Sequence, residues 1–228
     1  GNYSYSLRIF GSLNLAPSMT FNLKGDLNFE SNLPGNTIKT NGTFVNANIL
    51  NFSGTGSWKQ NSSLESHILF QTNGAYSTNN YGLNLRDLIG RSSASSLLLG
   101  TSIIKSDGVS FSDSIKIDAD SSTIYLTAGN VFSIYKGLNS SLHNIHYHHL
   151  IFDQPSSYIA GKVDKAIYNT RADIFANQNI LEYDTLIFNN PGEMVYLYGF
   201  SANFKINNLL LFKTQPGFPT LLQGAINT

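Results

Sequence analysis

Histidines form the densest group of potentially reactive side chains in this sequence, because four of the five lie between residues 143 and 149. On a β-strand His146 and His148 share one face, and two imidazoles at that spacing can bind a divalent metal. A metal site needs a third ligand, and Asp153 is the acid near enough in the sequence to provide one. The alternative is that these positions belong to a stacked polar row. We therefore keep His146 and His148 as candidate ligand-binding residues and expect no cofactor.

A second group contains four aspartates, at positions 107, 113, 118 and 120. Asp118 and Asp120 fall on the same face of a predicted strand, where their carboxylates could bind Ca²⁺. The sequence contains neither an Asp-x-Asn-x-Asp-Gly loop nor a Gly-Gly-x-Gly-x-Asp repeat. Solvated turn residues are therefore the favoured interpretation. No metal site is predicted, and Asp118 and Asp120 remain the metal candidates.

Aromatic side chains form the third group, with 12 Tyr, 15 Phe and one Trp. Exposed rings can stack on sugars, and Trp58, Tyr76 and Tyr81 are the candidates for such contacts. The alternative is that rows of rings fill the interior of the fold. The sequence has no Gly-x-Ser-x-Gly nucleophile elbow, and its acids are few and mostly single. No catalytic residue is predicted.

The composition limits the class of protein that can carry these residues. Charged residues make up 12 % of the chain, and 14 basic side chains balance 14 acidic ones. This balance excludes a basic surface built for nucleic acid. The sequence contains no Cys and no apolar run long enough to span a bilayer, so we expect neither disulfides nor membrane insertion. Asn, Ser and Thr number about 70, so neutral hydrogen-bonding groups replace the missing charge.

Most of the chain alternates apolar and polar residues, as in residues 21–24 (FNLK), 27–30 (LNFE) and 115–118 (IKID). Alternation with period two predicts half-buried β-strands, and the clusters of Gly, Asn and Ser between these short runs predict turns. Residues 161–177 are the best candidate for a helix, although residues 167–170 (IYNT) favour a strand even there. We therefore predict an all-β fold.

A repeat is visible in the second half of the chain. Residues 147–153 (YHHLIFD) align with residues 183–189 (YDTLIFN), and residues 206–211 (INNLLL) follow the same plan. The offsets, 36 and 23 residues, suit a solenoid with variable loops better than a sandwich with tight hairpins. An Asn-rich and charge-poor sequence fits this fold, because like side chains stack about 4.8 Å apart in successive coils. We predict a right-handed parallel β-helix, with an antiparallel β-sandwich as the alternative.

Ordered phrases in the first half resemble a known class of sequence. Residues 7–15 (LRIFGSLNL) and 19–27 (MTFNLKGDL) precede residues 48–58 (NILNFSGTGSW), which contain a phrase close to F-x-G-x-G-x-W. Residues 74–81 (GAYSTNNY) and 97–102 (LLLGTS) continue the series in the same order. Together these phrases resemble the repetitive β-helix regions of large secreted or surface-attached, adhesin-like proteins of Gram-negative bacteria, often exported by the type IX route.

The resemblance implies a surface-exposed stalk or adhesin-like module and carries no catalytic motif. We expect residues 1–228 to form a single β-helix domain of a longer extracellular protein, secreted or held at the cell surface. The expected function is a non-catalytic structural or adhesive module that presents a β-helical face to a polysaccharide or a host cell-surface glycan. A polysaccharide lyase or glycoside hydrolase of the β-helix type is the alternative. We expect a monomer, with neither nucleic acid nor membrane as a partner.

Overall fold

The structure, a computed structural model, describes the following residues: 5–112, 115–127, 137–140, 145–154, 156–170, 172–189, 195–198, 204–211 and 222–223. Within these ranges the side chains of residues 120, 137–140, 156–158, 160, 175–180, 195–198, 204, 211 and 222–223 are not described. The described residues contain no helix, and hence none with the length and hydropathy of a membrane span. Every strand pairing among them is parallel, and the strands stack into a β-solenoid of about 8 turns. The predicted all-β solenoid is confirmed, and the sandwich alternative is excluded.

In chain order the strands are β1 (Tyr5–Ile9), β2 (Leu13–Asn14), β3 (Phe21–Asn22), β4 (Gly25–Phe29), β5 (Asn36–Lys39), β6 (Val45–Asn46), β7 (Leu50–Phe52), β8 (Ser57–Gln60), β9 (Leu64–Gln71), β10 (Gly74–Ser77), β11 (Leu83–Gly90), β12 (Ser95–Leu98), β13 (Ile103–Phe111), β14 (Lys116–Leu126), β15 (Gly137–Ser140), β16 (His146–Phe152), β17 (Ser156–Tyr168), β18 (Ala172–Phe188), β19 (Val195–Tyr198), β20 (Phe204–Leu211) and β21 (Leu222–Gln223).

Each turn of the solenoid presents three faces, which the strand pairings define. Face A contains β3, β6, the first parts of β9, β11 and β13, and the last parts of β14, β16, β17, β18 and β20. Face B contains β1, β4, β7, β15, β19 and β21, the last parts of β9, β11 and β13, and the first parts of β17 and β18. Face C contains β2, β5, β8, β10, β12 and the start of β14. It continues through the start of β16, the middle parts of β17 and β18, and the start of β20.

Inward-facing side chains form apolar columns, because parallel pairing places equivalent residues directly above one another. One column on face A consists of Leu64, Leu83, Ile104, Ile124 and Leu150, each at most 2 % exposed. Burial of one such side chain contributes about 1.5–3 kcal/mol to folding. The period-two alternation of the sequence therefore reflects one side chain directed into the coil and the next directed into solvent.

Aromatic rings stack in the same way inside the coil. The rings of Phe29 and Phe52 are parallel with centroids 4.4 Å apart, and those of Phe152 and Tyr168 are parallel at 4.2 Å. Offset ring stacking contributes about 0.5–1.5 kcal/mol beyond the area it buries. Successive turns are thus held in register by rings that occupy equivalent positions.

The phrase F-x-G-x-G-x-W has a structural reason in the solenoid. Phe52, Gly54, Gly56 and Trp58 are all buried and point inward, while the residues between them do not. A Cβ atom on Gly54 would lie 2.3 Å from the carbonyl oxygen of Ser31, and Gly56 is equally crowded. The two glycines therefore let one turn approach the backbone of the turn below it.

The sequence repeat is confirmed by the pairing of strands. Tyr147 pairs with Val163, Val163 pairs with Tyr183, and Tyr183 pairs with Ile206. The offset of 36 residues thus spans two turns, and the offset of 23 residues spans one. One further turn lies between the two aligned segments, within residues 161–177. This stretch was the best candidate for a helix, but it contains parts of strands β17 and β18 instead.

The two adjacent polar residues in each copy of the repeat lie at a corner between faces C and A. Tyr147 and Leu150 are buried, whereas His148 and His149 between them are both half-buried. Two adjacent outward side chains break the period-two alternation, so the strand turns a corner at this point. Asp164 and the residue after it occupy the same corner one turn further on.

A second corner, between faces A and B, carries a row of outward polar side chains that we call the A/B corner row. Asn189 donates a hydrogen bond from Nδ2 to Oδ1 of Asn169 over 2.7 Å, and Asn169 donates in turn to Oδ1 of Asp153 over 2.8 Å. Such amide ladders agree with the prediction from the Asn-rich composition. In order along the solenoid the row consists of Asn22, Asn46, His67, Arg86, Asp107, Thr127, Asp153, Asn169 and Asn189.

Candidate functional site

Two of the three aromatic candidates, Trp58 and Tyr76, lie inside the solenoid and are 1 % and 0 % exposed. The indole N–H of Trp58 donates to the carbonyl oxygen of Gly11 over 3.4 Å, and the hydroxyl of Tyr76 donates to Oε1 of Gln60 over 2.8 Å. Burial raises the pKa of Tyr76 well above its ordinary value. Both rings pack against Phe52, so in this structure they belong to the core and offer no face to a sugar at the surface.

The remaining single candidates are scattered. Tyr81 lies in the turn between β10 and β11 and is 40 % exposed. Asp118 is exposed in the outward row of face C, and the pairing of β14 with β16 places it beside His146 in that row. The side chain of Asp120 lies outside the described residues.

His146 and His148 are brought together by a carboxylate on the neighbouring turn. Nε2 of His146 lies 2.6 Å from Oδ1 of Asp164, and Nδ1 of His148 lies 3.1 Å from Oδ2 of the same group. The rings of His148 and His149 stack with centroids 4.1 Å apart. Lys165 pairs with His149 in the register of β16 and β17. We call these five residues the histidine–aspartate cluster.

Two groups of the cluster have shifted pKa values. Burial alone would raise the pKa of Asp164, but the hydrogen bonds and charges of His146 and His148 outweigh it, so that the pKa lies below its ordinary value. Burial lowers the pKa of His149, and the positive charges of His148 and Lys165 lower it further. The cluster therefore favours an ionised carboxylate and a neutral His149.

The cluster holds its own hydrogen bonds rather than an open set of metal ligands. Both oxygens of Asp164 accept hydrogen bonds from imidazole N–H groups, so these nitrogens are engaged as donors. In the part of the chain that the structure describes, no three His, Asp or Glu side chains are arranged to hold a metal ion. Asp153, the acid nearest in sequence, lies on the A/B corner row and accepts a hydrogen bond from Asn169 instead.

A groove on the outer side of face A contains residues that sequence analysis does not single out. It has a volume of about 420 Å³ and crosses several turns of the solenoid. A second hollow of about 280 Å³ shares two lining residues with it, and a third of about 400 Å³ shares one. The hollows therefore form one open depression along the solenoid. We call its central part the face A groove, lined by Phe44, Glu65, His67, Asn84, Arg86 and Asp107.

The face A groove combines an apolar ring with hydrogen-bonding groups. Phe44 is 38 % exposed and meets the ring of His67 edge-on, with centroids 5.2 Å apart. Nε2 of His67 lies 3.1 Å from Oδ1 of Asn46, which fixes the imidazole in the A/B corner row. Nε of Arg86 donates to Oδ2 of the buried Asp87 over 3.2 Å. The ring and the polar groups are thus held in place before any ligand binds.

The residues of this groove lie about one coil apart in the chain, so no local sequence pattern marks them as a group. Phe44 precedes Val45, which pairs with Ser66, and Asn84 pairs with Glu65. Only the register of the turns brings them together. The available signal is the outward position of each residue in the period-two alternation, which acquires meaning once the turns are aligned.

The fold defines the class of this protein, a parallel β-solenoid with polar rows at its corners. Comparison of the chain with protein-family models, with curated proteins and with solved structures found no match.

Proposed function

We propose that this chain is a non-catalytic structural and adhesive surface module that contacts glycans through the outer side of face A. The observation that supports this proposal is the face A groove, in which an exposed ring lies beside hydrogen-bonding side chains. A secreted or cell-surface location belongs to the same proposal. It is supported by the resemblance of the first half of the chain to surface-attached β-helix regions.

Sugar recognition requires an apolar surface and polar groups side by side, because a pyranose ring has an apolar face and a rim of hydroxyls. The ring of Phe44 provides the apolar surface. Glu65, Asn84 and Arg86 provide acceptors and donors along the same depression. Because the depression is open and continues over several turns, an extended polysaccharide suits it better than a small enclosed ligand.

The ionisation of Asp164 in the histidine–aspartate cluster does not suit the role of the general acid in a glycosidase. A glycosidase needs a carboxylic acid that stays protonated near neutral pH, and its pKa must therefore be raised. Asp164 has the opposite shift, because its two imidazole partners favour the carboxylate. This carboxylate suits a fixed polar contact.

The proposal is tested by measuring binding of the chain to a panel of acidic and neutral polysaccharides with affinity electrophoresis. Loss of one ring-stacking contact corresponds to about a tenfold loss of affinity, so Phe44→Ala should weaken binding by about that factor. Phe10→Ala is the matched control, because Phe10 is also an exposed phenylalanine ring but directly follows β1 on face B. It should bind as the unmodified chain does.

Two results would contradict this proposal. If no polysaccharide binds, or if Phe44→Ala and Phe10→Ala bind equally well, then the face A groove is not a glycan site. If binding is accompanied by new reducing ends or unsaturated products, the polysaccharide-active enzyme becomes the better interpretation.

A further inference from the structure

The central row of outward side chains on face A changes from mostly polar to apolar about halfway along the solenoid. In the second half it consists of Tyr125, Ile151, Ile167, Ile187 and Leu210, which pair one with the next on successive turns. We call these five residues the apolar stripe. With about 4.8 Å between turns, it is about 19 Å long.

The apolar stripe is not explained by the core. Leu150 and Phe152, on either side of Ile151, point inward and are 0 % exposed, so Ile151 points outward. Tyr125, Ile151 and Ile167 are half-buried, Ile187 is only 8 % exposed, and Leu210 is 44 % exposed. The three consecutive apolar residues of the sequence repeat therefore encode two core residues and one residue on the outer surface. A continuous outward apolar row is typical of an interaction surface.

The rows on either side of the apolar stripe carry opposite charges. On the side of face C lie His149 and Lys165, which pair with each other on neighbouring turns. On the side of face B lies the A/B corner row. In this row Asp153 is on the same turn as His149, and Asn169 is on the same turn as Lys165. The stripe is thus bordered by the positive charge of Lys165, next to a neutral His149, on one side and by the carboxylate of Asp153 on the other.

We propose that the apolar stripe is the contact surface between two copies of this chain, which pack face A against face A. A two-fold axis parallel to the solenoid axis would place the Lys165 side of one copy opposite the Asp153 side of the other. The charges of the two borders then attract each other. A second copy also has the same spacing between its rungs, so the side chains match at every turn. This inference is independent of the glycan proposal and departs from the expectation of a monomer.

The contact ends where the apolar stripe ends. Further along the same row the residues are Lys105, Asn84 and Glu65. In the proposed orientation these positions would place Lys105 against Lys105 and Glu65 against Glu65. Because like charges repel, the two solenoids separate there, and the face A groove stays accessible.

Sedimentation velocity of the full chain tests the inference. The unmodified chain should form a dimer at about 100 µM or below. Ile167→Glu places a charge in the centre of the contact and should weaken the dimer by about 30-fold or more. Leu98→Glu is the matched control, because Leu98 is 42 % exposed on face C, and this variant should dimerise normally. Circular dichroism confirms that both variants are folded.

A charge exchange tests the orientation. Lys165→Glu and Asp153→Lys should each weaken the dimer by about five- to tenfold, and the double variant should recover most of the loss. A monomeric unmodified chain, or an Ile167→Glu variant that dimerises as well as Leu98→Glu, would overturn the inference. Additive loss in the double variant would overturn the proposed orientation.

Discussion

At the scale of single residues, Asp164 and His149 link the fold to pH. The hydrogen bonds and charges of two imidazoles lower the pKa of Asp164 despite its partial burial, and burial together with positive neighbours lowers the pKa of His149. Both shifts have the same consequence for stability, because in each case the unfolded chain binds the proton more readily than the folded one. Acid should therefore weaken the corner between faces C and A in two stages.

The first stage belongs to His149 and lies below its ordinary pKa of 6.5, and the second belongs to Asp164 and lies below 3.8. Stability from each group is present above these values and is lost as pH falls towards the lowered pKa of the folded state. We expect His149→Asn to reduce the fall in melting temperature between about pH 7 and 5, and Asp164→Asn to reduce the fall below about pH 4. Thermal unfolding across this range measures both effects. Identical pH profiles for the two variants and the unmodified chain would contradict the assignment.

At the scale of the elements, close approach between turns depends on glycine. Gly74 has a φ of 64°, and a Cβ atom there would lie 2.3 Å from the carbonyl oxygen of Gly56. Gly42 has a φ of 83°, but a Cβ atom there would meet nothing within 4 Å. The two positions share the backbone strain and differ in the steric clash.

We therefore expect Gly74→Ala to destabilise the chain by about 3 kcal/mol or more, and Gly42→Ala by about 1 kcal/mol. The larger cost follows because β10 would have to move away from β8. Urea unfolding monitored by circular dichroism gives both free energies. If Gly42→Ala proves as costly as Gly74→Ala, the close approach of the turns is not the limiting feature.

The predictability of these elements from sequence differs from place to place. Alternation in residues 21–30 predicts strands because one face of each is buried, and the match between residues 147–153 and 183–189 predicts the register because equivalent positions stack. The sequence repeat is harder to recognise in the turn at residues 163–169 (VDKAIYN), because Lys165 and Ala166 depart from the pattern of the two aligned segments. Its Asp164 is the partner of both candidate histidines.

The direction of individual side chains is harder to predict than the strands themselves. In residues 57–60 (SWKQ) alternation shows that Trp58 and Gln60 share a face, but not which face is inward. The choice depends on the packing of Trp58 against Phe52 of the same turn and on its pairing with Tyr76 of the next turn. The same dependence on register conceals the face A groove.

At the scale of the whole molecule, different parts of one face of the solenoid present different kinds of surface. In the first half of the outward row on face A, Phe44 and three polar residues border the face A groove, and the second half is the apolar stripe. Because the turns stack like rungs, a change of residue type at one rung changes the surface only locally. One face can therefore carry both a glycan contact and a contact between copies.

The stacking of turns in one continuous parallel row is the central claim, and distances along the A/B corner row test it most directly. Asn22, Asp153, Asn169 and Asn189 are exposed in that row, and the chain has no Cys to interfere with labelling. Spin labels on Asn22 and each of the other three, in chains diluted with unlabelled protein, should give distances of about 29, 34 and 38 Å by pulsed electron resonance. Equal increments for turns of 16 and 20 residues are the predicted result. Distances that shorten, or that rise with the number of residues instead of the number of turns, would contradict the solenoid.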